Sequence, residues 1–210
     1  MDARKIVEDD IKQCINKALK LKILSNPRIS GSFFDDRKII SSKYSRFAHE
    51  NDYLENYFRK YEQGEFLATL DDGAYLQINY EFDIQNKRKS YLQKMNLCYL
   101  PPVLESGEIK NEYIRVDYDN SSDNSFFHAY AHVHIGFRNA IRIPINEVLL
   151  FSEFLGMVLY FFYPKQFSML YGDRYRTNNT KDKTMSGKLT KEKVLTKELE
   201  QYFYLKTNSE

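Results

Sequence analysis

The sequence predicts an α+β fold: an antiparallel meander sheet of about five to six strands, with helices packed on one face and a polar, histidine-bearing face opposite. Three observations lead there. Apolar residues recur at helical spacing near both ends of the chain, the period falls to two between residues 66 and 145, and the stretch 148–163 is apolar nearly all round. Short polar turns between successive strands favour a meander over crossovers.

The first helix is expected over residues 3–24, where Ile11, Cys14, Ile15, Ala18 and Leu19 form one stripe. Asn26-Pro27 stops it, because the residue before a proline avoids the α region. Residues 29–42, with Gly31 and paired aspartates, read as a loop. A second helix over 43–63 aligns Phe47, Leu54, Phe58 and Tyr61, and Gly64 is placed to end it. His49 falls there, and an ordinary surface role is expected for it.

Period two begins at Phe66. Residues 66–70, Asp71-Asp72-Gly73 and residues 74–82 form a hairpin. After a polar turn at 86–90 comes a strand over 91–100, closed by Pro101-Pro102. Strands follow at 113–119, from His128 onward, and at 140–145; Pro144 puts the last at an edge or ends it. Asn146 is placed to cap a helix beginning near Glu147, which Pro164 ends. A basic loop over 172–188 and a closing helix over 189–206, aligning Leu195, Leu199 and Tyr202, complete the chain. The expected division is 1–64 (helices packing on the core), 65–165 (sheet plus buried helix) and 166–210 (basic loop and closing helix), within one compact domain.

The net charge of +2, from 31 basic and 29 acidic residues, is too small to point to nucleic acid at the level of the whole chain. The two cysteines, Cys14 and Cys98, are far apart, as expected of reduced thiols in a cytoplasmic protein. The acidic N-terminus does not read as a signal peptide, and no apolar run is long enough to span a membrane.

Three of the four histidines lie in His128-Ala-Tyr-Ala-His132-Val-His134-Ile-Gly136. Side chains alternate along a strand, so His128, Tyr130, His132 and His134 share a face. By the same parity Arg115 and Asp117 share a face of the preceding strand, and that face is expected to be open. Imidazoles titrate near neutrality and can supply base and acid together. The expected chemistry is metal-independent cleavage of RNA, or less readily DNA, with His132 and His134 sharing proton transfer and His128 assisting. Arg115 would hold a phosphate and Asp117 orient a ring. Tyr130, Arg142, Arg174 and Arg176 are the expected substrate contacts. Two alternatives remain open: a divalent metal such as zinc on His128, His132 and His134, and a non-enzymatic subunit docking onto a larger protein partner.

Together, Tyr113-x-Arg115-x-Asp117-Tyr-Asp119, His128-x3-His132-x-His134-Ile-Gly, Arg142-Ile-Pro144, Ser152-Glu-Phe154 and Phe162-Tyr-Pro164 resemble a bacterial domain-of-unknown-function family of about this length, over roughly residues 66–165. The shorter pattern of Arg115, Asp117, His132 and His134 is also similar to a small toxin family of toxin–antitoxin modules. That likeness implies a nucleic-acid-directed activity in bacterial defence or a mobile element.

Overall fold

A computed structural model describes residues 2–29, 31–42, 59–86, 89–103, 106, 112–120, 131–136, 141–145 and 148–172. Helix α1 spans Ala3–Lys20. Asp2 caps it by accepting the Lys5 N–H, and Val7, Ile11, Cys14, Ile15 and Ala18 form its buried stripe. It ends earlier than expected. Lys22 takes a left-handed φ of 57°, letting the Ile23 N–H close onto Ala18, so the chain has turned before Pro27 is reached.

Among the described residues, seven strands build one antiparallel sheet: β1 (Ile39–Ser41), β2 (Ala68–Thr69), β3 (Tyr75–Asn86), β4 (Lys89–Leu100), β5 (Ile114–Asp119), β6 (Ala131–Ile135) and β7 (Ile141–Pro144). Their order is β1-β3-β4-β5-β6-β7, with β2 pairing β3 beside β1. The meander from β3 to β7 is as expected, and β7, carrying Pro144, lies at the edge. Two differences have local causes. β1 falls where a loop was expected; its three residues carry no periodic signal, and β3 provides the pairing. β3 and β4 extend to within two residues of each other, so the turn is much tighter than 86–90.

Residues 59–62 form a helical turn that Gly64, at φ 68°, terminates as expected; the rest of 43–63 lies outside the described residues. After the sheet come α2 (Phe151–Phe162) and α3 (Pro164–Tyr171). Pro164 ends α2 and starts α3, because its missing N–H and fixed φ suit a first helical position. The N-cap of α2 is Leu150; the expected start at Asn146-Glu147 lies outside the described residues. Asp10 of α1 supplies the missing cap, with Oδ2 accepting the Ser152 N–H at 2.9 Å and Oδ1 the Ser152 hydroxyl at 2.6 Å.

Helices α1 and α2 bury one face of the sheet around Ile78, Tyr80, Leu97, Val116 and Phe154. The expectation of an all-round buried helix at 148–163 needs correction, since Tyr160 and Phe161 are 63% and 59% exposed. The opposite face, expected to be open, is buried at Gln77, Arg115, Asp117, His132 and His134, while Asn79, Glu81 and Asn96 on it stay partly exposed. Phe66, Tyr75, Cys98, Leu100 and Tyr113 form a second cluster there, and Tyr61 of the 59–62 turn stacks on Phe66 at 5.2 Å.

Candidate functional site

Strand register brings the candidate residues together. Cys98 of β4, Arg115 of β5, His134 of β6 and Arg142 of β7 form one row across the sheet. Asn96, Asp117, His132 and Pro144 form the adjacent row. Alternation places Arg115, Asp117, His132 and His134 on the face opposite the helices, and all four are buried there.

Asp117 is the hub. Its Oδ1 accepts the Asn96 amide at 2.7 Å. Its Oδ2 accepts Arg115 Nε at 2.8 Å and stands 3.1 Å from His134 Nε2 and 3.7 Å from His132 Nε2. The second arm of the Arg115 fork, Nη2, reaches His134 Nε2 at 3.0 Å. The two imidazoles meet edge to face with centroids 4.6 Å apart. Burial pushes the Asp117 carboxyl upward, but the His134 hydrogen bond, the Arg115 charge and the Asn96 amide outweigh it and bring the pKa down to about 2. The group is a carboxylate throughout the physiological range.

Cys98 lies in register beside Arg115 and is fully buried. Burial pushes its thiol up to about 12, although Tyr113, Arg115 and Lys60 pull the other way. It is a neutral core thiol, not a nucleophile.

Of the residues expected from sequence, Arg115, Asp117, His132 and His134 converge within hydrogen-bonding or near-contact distance. Arg142 stands opposite His134 on β7. His128, Tyr130, Arg174 and Arg176 lie outside the described residues, as does His49. Asn96 was not anticipated. It lies in a strand of mixed polarity, and only the pairing of Asn96 with Asp117 reveals its role.

One ligand atom from each of Asp117, His132 and His134 lies within 4.8 Å of the other two, so these three side chains can face one metal ion. Among the described residues, no helix is long and apolar enough to cross a membrane.

The sequence pattern of the uncharacterized conserved protein family DUF2290 matches residues 25–207, well beyond the stretch 66–165. No curated protein and no solved structure matches the chain.

Proposed function

The chain belongs to the DUF2290 family of uncharacterized conserved proteins, and for this member we propose a metal-independent enzyme that cleaves RNA, and less readily DNA, by histidine acid–base chemistry. One observation carries the reading: Arg115 Nε, His134 Nε2 and His132 Nε2, from two adjacent strands, surround the single oxygen Asp117 Oδ2 at 2.8, 3.1 and 3.7 Å. A carboxylate that orients imidazoles beside an arginine is an arrangement suited to moving protons near a phosphate. RNA is the better substrate because its 2′-hydroxyl is a built-in nucleophile that needs only a base. Arg115 is already engaged with Asp117 and His134, so in this reading it polarises the cluster instead of gripping the phosphate through both arms. A toxin-like role against phages or plasmids belongs to the same proposal and rests on the short likeness of these four residues to a toxin family.

The metal reading comes second. It is favoured by the mutual approach of Asp117, His132 and His134, a two-histidine, one-carboxylate set. Arg115 weighs against it. Its guanidinium occupies both Asp117 Oδ2 and His134 Nε2, where a dication would meet a fixed positive charge.

The test is cleavage of RNA and DNA in EDTA, comparing the wild type with the His132→Ala/His134→Ala double variant, alongside elemental analysis. Cleavage that persists in EDTA and disappears in the variant supports the proposal. Stoichiometric metal lost with the same substitutions replaces it with the metal reading. An inert, metal-free chain leaves the binding-subunit alternative, with the exposed Tyr160 and Phe161 as its candidate contact.

A further inference from the structure

The sheet face that carries the Asp117 cluster also carries an aromatic shelf with a cation on it. Phe66 is buried there, and two side chains lie on its ring. Tyr61 is nearly parallel to it, at 16° with centroids 5.2 Å apart. The Arg28 guanidinium is the other, with Cζ 5.1 Å from the centroid. Backbone contacts hold both in place. The Arg28 N–H donates to the Leu67 carbonyl at 2.8 Å, and Gly64, at φ 68°, turns the chain between Tyr61 and Phe66. Both side chains also meet solvent. Tyr61 is 38% exposed, Arg28 is exposed, and among the described residues no carboxylate pairs with Arg28.

Strand register sets how far this shelf stands from the cluster. Tyr75, whose ring centroid is 5.9 Å from that of Phe66, belongs to β3. Arg115 belongs to β5, two strands away, which is about 10 Å at ordinary strand spacing. Lys60, next to Tyr61 and buried, lies close enough to Cys98 to pull its thiol downward, and Cys98 is the register partner of Arg115. Shelf and cluster are thus neighbours on one face. An unpaired nucleobase of any identity has a π-face that stacks on an exposed ring, and the phosphate beside it takes a cation. In a duplex the base faces are already stacked on their neighbours, so the ring is denied them. On the basis of the RNA-cleavage reading above, we propose that Tyr61 and Arg28 select single-stranded RNA, with a base flanking the cleaved linkage stacked on Tyr61 and its phosphate neutralised by Arg28.

The test is fluorescence anisotropy with a labelled RNA that is 2′-O-methylated throughout, so that it cannot be cut through its 2′-oxygen. It is offered to the full chain as a single strand and as a duplex with its complement. Expected is duplex binding at least about tenfold weaker than that of the single strand. Tyr61→Ala should weaken single-strand binding about tenfold to a hundredfold, and Tyr61→Phe, which keeps the ring, should recover it to within about threefold. Arg28→Gln should weaken binding and lower its salt dependence by about one phosphate contact. On unmodified RNA, kcat/KM should fall in the same order. Equal binding of single strand and duplex would overturn the proposal, as would wild-type binding by Tyr61→Ala and Arg28→Gln, or a Tyr61→Phe variant as weak as Tyr61→Ala. A chain that binds single-stranded RNA through Tyr61 and Arg28 yet leaves the unmodified strand uncut supports the shelf and overturns the cleavage reading alone. A chain that cuts RNA equally well with both side chains replaced keeps the cleavage reading and overturns the shelf. One that neither binds nor cuts RNA overturns both.

Discussion

Asp10 and Asp117 are buried to similar degrees, 2% and 8% exposed, yet their carboxyls are driven in opposite directions. Burial raises Asp10; its hydrogen bonds from the Ser152 hydroxyl and the Ser152 and Phe151 N–H groups only partly offset that. Those donors are neutral. Asp117 meets the same penalty, but Arg115, His134 and Asn96 overcome it. Depth therefore does not decide whether a buried carboxyl holds its charge; the charge and number of its donors do. In this protein the helix layer uses a carboxyl as a cap, and the sheet uses one as the fixed anion of an ionic cluster.

The contrast is sharpest where charge is removed without changing shape. Asp117→Asn should cost about 3–5 kcal/mol of stability in urea unfolding, because it leaves the buried Arg115 without its anion. A cost below about 1 kcal/mol would show that Arg115 does not depend on Asp117. Acid should act through the same group. The folded pKa of Asp117, about 2, lies below its ordinary 3.8, so its contribution is complete above pH 3.8 and is lost as pH falls toward 2. That contribution is about 2–3 kcal/mol, measurable as the part of acid destabilisation missing from Asp117→Asn.

Asp10 should behave in the opposite sense. Its folded pKa is raised above 3.8, so stability is lost as pH rises through that shifted value. Asp10→Asn keeps an acceptor for the Ser152 N–H and a donor for its hydroxyl. It should change stability by less than about 1 kcal/mol at neutral pH and abolish this pH dependence. Asp10→Ala, which removes the cap, should cost about 1–2 kcal/mol in thermal or urea unfolding. The smallest effect expected is that of Glu153→Ala, about 0.5–1 kcal/mol, since Glu153 Oε2 accepts the Leu150 N–H at 2.8 Å as a cap at the helix start.

Legibility from sequence followed the range of the interaction involved. Gly64 ended its helical turn and Pro144 marked the edge strand because both are local backbone effects. β1 escaped notice because Ile39–Ser41 is too short to show alternation and exists through its pairing with Glu81–Asn79. The start of α2 escaped for a related reason: its cap is Asp10, 142 residues from Ser152, and no local capping rule reaches that far. Asn96 joined the site only through register with Asp117.

By itself the sequence determined which residues share a face. Period-two alternation is a property of each strand alone, so Arg115 and Asp117, like His132 and His134, had to point the same way. Tertiary structure alone decided what that face became. Pairing of β5 with β6 set Asp117 beside His132 and Arg115 beside His134, and the fold buried all four on a face expected to be open. Register and burial depend on segments distant in the chain, and in a buried site they determine which groups stay charged.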